Sequence, residues 1–259
     1  MSGGVSNALV VCRFCGQRKP QAKEDIISEW IAREIGPAGT NEDGTDGQYI
    51  LELYSAADGN PPRFHKSQRR GKWASVYKLP GICADCNNGW MSDIEDRTQD
   101  LLLPLMRNEP RMLAEAECRT IARWSYLKAI TLDAWYRSDP WLDPDAYSTF
   151  HEQREAPGST TVGLGIVKPW ADGRHAPVSR KRGAIRQIDG SPLTVRRYTF
   201  VFRWLILQVV IPEDGVTVPY SPPAGWFVNI WPQFFVSDPE PTYPWPPTLI
   251  DPARLAQLM

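Results

Sequence analysis

Apolar residues recur at helical spacing early in the chain. Ile27, Trp30, Ile31 and Ile35 share one face, and Gly36-Pro37 stops the helix they predict. Residues 36–48 carry four glycines and no large apolar side chain, which reads as a loop. A short alternating run, Tyr49–Tyr54, predicts a strand. After Cys86, Trp90, Met91, Ile94, Leu101, Leu102 and Leu105 form the face of a second helix, limited by Pro104 and Pro110. A third helix, about Ala114 to Ser138, places Ile121, Trp124, Thr131, Leu132 and Trp135 on one stripe with Lys128 in its middle. A lysine there reads first as a stem buried to its ammonium, and alternatively as a charge with a partner. From Trp141 the period shortens. Ser159–Val167, Val195–Ile211 and Trp226–Val236 predict strands separated by Pro, Gly and Asp turns, hence a mostly antiparallel C-terminal half. Eleven prolines after residue 200 make that region irregular and edge-forming.

Composition narrows the class. The 259 residues carry a net charge of −1 and are 42% hydrophobic and 11% aromatic, which suits one good core or two small ones and excludes disorder. No apolar run reaches the ~18 residues of a membrane helix, and Met1–Val11 has no basic residue ahead of its short apolar stretch, so a reduced cytoplasmic compartment is expected. Balanced charge makes any nucleic-acid surface local. Two stretches qualify: Arg63, Lys66, Arg69, Arg70 and Lys72 with His65, and Arg174–Arg197 with seven basic residues against Asp189.

The five cysteines are two Cys-x-x-Cys pairs, Cys12/Cys15 and Cys83/Cys86, plus Cys118. Each pair lets a tight turn aim two thiolates at one ion, and two such turns complete the tetrahedral sulfur site that zinc prefers. Gly16 permits the turn of a zinc knuckle, and the second pair opens a helix whose free N–H groups favour thiolate. Knuckle first and helix start second is the order of a treble clef. A redox pair or plain core cysteines are the alternatives, although redox chemistry needs only one pair and a βαβ context absent here. Cys118 reads as core packing.

The flanking residues add a resemblance. Cys12-Arg13-Phe14-Cys15-Gly16, the run Lys23-Glu24-Asp25-Ile26-Ile27-Ser28-Glu29-Trp30, and Cys86-Asn87-Asn88-Gly89-Trp90-Met91-Ser92-Asp93-Ile94-Glu95 resemble the zinc-stabilised branch of the HNH endonuclease superfamily, as found in small bacterial and phage proteins. The likeness covers residues 12–35 and 82–106, and more softly Arg123-Trp124 with Lys128. It implies a ββα-metal site in which Glu24 and Asn87 hold one Mg²⁺ or Mn²⁺ ion against the scissile phosphate. The general-base position, histidine in that family, falls on Asp25. A carboxylate near pKa ~3.9 is a poorer base at neutral pH than an imidazole near ~6.5, so Asp25 serves either as an impaired base or as an additional metal ligand. Ser28 stands where the family usually has proline, and Lys78 near its middle asparagine. His65 could substitute as base, while His151 and His175 belong to the other half. Asp93 and Glu95 read as favourable charge near a helix N-terminus, with metal coordination as the alternative.

The expectation is an α+β chain. Residues 1–112 form a four-cysteine zinc, treble-clef ββα-metal module with an inserted loop at about 36–72, and residues 113–259 form a long helix and a β-rich, Pro- and Trp-rich region. Its expected activity is metal-dependent phosphodiester hydrolysis of DNA. The alternatives are a catalytically lapsed zinc module that binds nucleic acid or a protein partner, and an interaction protein working through the C-terminal half.

Overall fold

The computed structural model describes residues 6–35, 48–56, 63–70, 78–136, 139–168, 178–186, 192–213, 215, 227–232, 243–245 and 249–250. It is α+β. Strands β1 (Ser6–Val11), β2 (Arg18–Asp25) and β5 (Lys78–Cys83) form an antiparallel three-stranded sheet in that order. Helix α1 (Glu29–Ile35) follows β2, and β5 runs straight into a long helical segment. That segment comprises α2 (Ala84–Cys86), one wide π turn (Asn87–Met91) and α3 (Ser92–Met106). β2, β5 and this segment therefore make a β-β-α succession. The helix predicted after Cys86 is present and passes Pro104 by two residues before ending at Met106.

Between β2 and β5 the chain makes a hairpin, β3 (Gln48–Ala56) and β4 (Arg63–Arg70), where the sequence predicts a loop insertion over much of 36–72. The hairpin does not extend the small sheet. β3 pairs in parallel with β8 (Val178–Arg186), with Leu53 opposite Val178, and so joins the eight-stranded sheet of the C-terminal half. That sheet contains β7 (Thr161–Val167), β9 (Pro192–Phe202), β10 (Leu205–Pro212) and β11 (Val228–Trp231), with β13 (Leu249–Ile250) on β7. A sequence cannot display a pairing between residues over a hundred positions apart, so 48–70 read as local. A two-stranded sheet of β6 (Arg111–Leu113) and β12 (Tyr243–Trp245) completes the strands. Among the described residues no helix is long and apolar enough to cross a membrane.

Helix α4 (Glu115–Trp135) is the centre, and α5 (Asp145–Gln153) packs beside it. The Glu117 carboxylate accepts the Ala114 N–H at 2.8 Å and caps the start of α4. The predicted stripe is buried except for Trp135, which is half-buried, and so is everything from Trp124 to Ala134. Ser125 and Thr131 donate to Ile121 O and Leu127 O, which removes the cost of their hydroxyls in a closed interior. One hydrophobic cluster runs from Cys12 and Phe14 through Trp124 to Ile230.

Asp133 fastens α4 to the large sheet. Its fully buried carboxylate accepts from Trp141 N at 3.1 Å, Leu142 N at 3.0 Å, Tyr198 Oη at 2.9 Å and Arg180 Nη1 at 3.4 Å. The Arg180 guanidinium lies 3.6 Å from the Tyr136 ring centre and 4.1 Å from that of Trp141. Breaking a buried pair by removing one charge costs about 3–5 kcal/mol. Asp133→Asn, which keeps the shape and removes the charge, should therefore lower Tm by roughly 6–15 °C in thermal unfolding at neutral pH. A shift under ~2 °C would show that this carboxylate does not carry the helix–sheet junction.

Candidate functional site

The chain turns after β1 with Cys12 N donating to Gln17 O at 3.0 Å and Gly16 N to Cys12 O at 2.9 Å. Gly16 sits at φ +69°, where a side chain would be strained. This knuckle faces the junction of β5 and α2, where Cys86 N donates to Cys83 Sγ at 3.4 Å. The sulfurs of Cys12, Cys15, Cys83 and Cys86 all lie within 4.8 Å of one another, and Cys15 Sγ is 3.8 Å from Cys83 Sγ. A tetrahedral centre of four thiolates around zinc, with ~2.3 Å bonds, has S···S edges of about 3.8 Å. A disulfide requires about 2.05 Å. The four cysteines could thus hold a metal ion such as zinc.

Without an ion the cluster is electrostatically awkward. Burial pushes the Cys83 and Cys86 thiols up, the nearby Trp90 N–H opposing it at Cys86. At Cys12 burial acts the same way, but hydrogen bonds from the backbone around Cys15, Cys83 and Phe14 outweigh it and leave the thiol lowered. Cys118 is remote from this group and buried, pushed up to about 12 by burial, as a core cysteine should be.

A second constellation lies on the other side of the β-β-α unit. The β2–β5 register slips between Ala22 and Glu24, and such a bulge breaks strict alternation and re-aims side chains. Lys23, Glu24 and Asp25 consequently all border one cavity of about 270 Å³. The π turn adds Asn87 and Asn88 to the α3 face formed by Ser92, Glu95, Asp96 and Gln99, so the helical segment supplies the opposite wall. Glu24, Asp25 and Asn87, assigned to a site by resemblance, line the same cavity.

Lys128 reaches into its floor from α4. Its ammonium, 1% exposed, donates to Glu24 Oε1 at 2.8 Å and to the Asp25 carbonyl at 2.9 Å, and pairs with Glu95 Oε1 at 2.5 Å. Three acceptors match the three protons of an ammonium. Lys128 therefore does not send its charge to solvent as a stem reading predicts; it is sealed inside with partners. Glu95 is likewise more than helix-terminal charge, since its other oxygen accepts Trp30 Nε1 at 2.8 Å. Asp93 stays exposed. Asp25 lies opposite Lys78 in the β2–β5 ladder, 3.4 Å from its ammonium.

Burial raises the Glu24 carboxyl against the pull of Lys128, and raises Asp25 against Lys78 and Lys128. At Glu95 burial also raises, but Lys128, Ser28 and Trp30 together leave it lowered. Burial works against the Lys128 charge, and Glu24 and Glu95 overcome it, raising Lys128. The buried oxygens without a hydrogen-bond donor include Asn87 Oδ1 and Asp25 Oδ1, one on each wall of the cavity.

The chain matches no known family model, no curated protein and no solved structure. The site is read from its own chemistry.

Other expected site residues are not among its described lining. Arg63, Lys66, Arg69 and Arg70 are on β4, the edge of the large sheet, but their side chains, and all of Lys72, lie outside the described residues. The His65 side chain is outside them too, as is His175; His151 stacks edge-on to Trp90 with ring centres 5.8 Å apart. Sequence reasoning misses the pairing of Lys128 with both Glu24 and Glu95. A lysine on an apolar stripe is the one signal that points toward it.

Two outcomes follow. Purified protein should contain about one zinc per chain, and chelation or Cys83→Ser should release it and lower Tm by at least ~10 °C, because a structural site contributes folding energy directly; full stability in metal-free protein would contradict this. The Lys128 pKa is raised on folding, so its contribution is fully present below about pH 10 and is lost as pH climbs through the folded value. Lys128→Met should cost about 3–5 kcal/mol at pH 7. That penalty should shrink between pH 7 and 5, because two carboxylates without their cation take up protons in the folded state. A penalty independent of pH, measured by urea unfolding, would rule out the charge triad.

Proposed function

We propose that the cavity is an HNH-like site for metal-dependent hydrolysis of phosphodiesters in DNA, built on a zinc-held treble clef. The divalent ion is carried by Asp25 and Asn87 rather than by Glu24 and Asn87. The observation behind this is the buried Asn87 Oδ1 without a donor, across the cavity from an Asp25 Oδ1 that the Lys78 ammonium meets at 3.4 Å. Buried acceptors are normally matched, and an orphan is costly. Hard oxygen donors suit Mg²⁺ or Mn²⁺, and one carboxylate plus one amide oxygen is the sparse protein set that Mg²⁺ takes while keeping waters and a substrate phosphate.

Charge supports the same reading. The residues lining the cavity include five carboxylates (Glu24, Asp25, Glu29, Glu95, Asp96) against three cations (Lys23, Arg33, Lys128), and with Lys78 paired to Asp25 from outside the lining the balance is still negative and favours a cation. Glu24 is already committed to Lys128. Together they fix the end of β2, because the same ammonium holds the Asp25 carbonyl. When bound, the ion polarises a phosphoryl oxygen and acidifies a bound water. Asp25 then acts as ligand, which removes the need for it to be a strong base.

The neutralisation of Asp25 by Lys78 and of Glu24 by Lys128 favours a second reading, a lapsed nuclease module that retains zinc and binds nucleic acid or a protein without turnover. Calorimetric titration with Mn²⁺ and plasmid nicking separate the two. On the first reading Mn²⁺ binds, Asn87→Ala and Asp25→Ala each weaken it at least ~10-fold, and wild type nicks DNA only with the ion. If wild type and Asp25→His are both inert while binding DNA in a salt-dependent way, the hydrolase reading fails and the binding module stands.

A further inference from the structure

The cavity is acid at its floor and mixed at its mouth. The floor cation Lys128 is spent on Glu24 and Glu95, and Lys78, outside the lining, is paired with Asp25. At the mouth Lys23, from the bulged end of β2, and Arg33, from the last turn of α1, are exposed and border the same cavity. Neither side chain makes a hydrogen bond or ion pair with any described residue. Glu29 precedes Arg33 by one helical turn and Asp96 stands on the α3 wall; both are exposed, and neither is paired with Lys23 or Arg33.

A nucleic-acid phosphate approaching this opening meets two free cations, but also two rim carboxylates and the acid floor. The lining carries more carboxylates than cations, so without another positive charge repulsion of the phosphate prevails. We propose that Lys23 and Arg33 are a phosphate grip for the nucleic-acid backbone, and that it engages only after a divalent cation has bound below it, so that cation and DNA bind in that order. This rests on the cavity reading given above and adds two substrate-binding residues and an order of binding to it. Lysine offers a point charge and arginine a planar fork of donors, the usual pair of contacts to backbone phosphates.

The test uses the full-length zinc-loaded protein, a short labelled DNA duplex, and Ca²⁺ as an ion that can bind without supporting turnover. Ca²⁺ binding is measured by calorimetry and DNA affinity by fluorescence anisotropy, with Ca²⁺ or in chelator-free buffer without added divalent ion, zinc content being checked in both. The expected result is Ca²⁺ binding, a gain of at least ~10-fold in DNA affinity over the ion-free buffer, and loss of that gain in Lys23→Ala/Arg33→Ala with Ca²⁺ binding, zinc content and Tm unchanged. Arg33→Ala alone should reduce the slope of log affinity against log salt by about 1, the signature of one lost phosphate contact. If Ca²⁺ binds and DNA affinity is the same without added divalent ion, or if the double variant keeps the gain, the grip is overturned while the cavity reading survives. If neither Ca²⁺ nor Mn²⁺ binds, the cavity reading fails and the grip falls with it.

Discussion

The Lys128 ammonium is the constraint around which the N-terminal half is organised. An ammonium 1% exposed is tolerable only when opposite charge and acceptors enclose it. Here they come from two directions: Glu24 and the Asp25 carbonyl at the end of β2, and Glu95 one turn into α3. Three elements far apart in sequence must meet at one atom. Any arrangement that separates them strands a charge in a dry interior. The triad is poor evidence for raw stability, since an apolar trio of the same volume would pack without desolvation. It is good evidence for specificity, because it fixes where β2 ends relative to the helix that carries Asn87.

The same helix carries a second polar node. Lys128 and Asp133 are five residues apart, which at 3.6 residues per turn places them about 140° apart around the axis. One face of α4 therefore engages the β-β-α unit through Lys128. A nearly opposite face engages the eight-stranded sheet through Asp133, Arg180 and Tyr198. Apolar packing fills the space between, and it is largely indifferent to rotation of a helix apolar on all sides. Two buried charges on opposing faces are not indifferent. Together they set the rotation of α4, and through it the relation between the two sheets.

This explains what is legible in the sequence. The helix stop after Ile35, the helix after Cys86, the long α4 and the C-terminal strands all follow from short-range periodicity. The four-cysteine cluster is also legible, because spacing within each pair is local and only their meeting is not. Long-range pairing escapes. The 48–70 hairpin looks like an insertion near its neighbours, yet its partner is β8, whose Arg180 and Lys181 sit in a stretch that reads as a basic surface. Arg180 is buried because Asp133 and two aromatic rings await it, and all three belong to a distant part of the chain. In the cavity, Glu24, Asp25 and Asn87 are found by motif. The bulge at Ala22/Glu24 and the π turn at Asn87, which bring them to one space, have no signature short enough to read.

Asp25 where the resembled family carries histidine changes the chemistry in a definite direction. An imidazole at that place is neutral or cationic near pH 7 and acts on a proton. A carboxylate adds negative charge to a cavity already acid, and burial has raised its pKa only against the pull of two lysines. Such a group gains more by meeting a cation than by taking a proton from water. Lys78 meets part of that demand from the edge of the ladder, its ammonium 3.4 Å from Asp25 Oδ1. With Asn87 Oδ1 unmatched across the cavity, Asp25 stands on the proposed reading as a ligand where the resembled family has a base. On the proposed reading the site gives up proton affinity and gains hold on the ion, so the work of activating water shifts from the side chain to the metal.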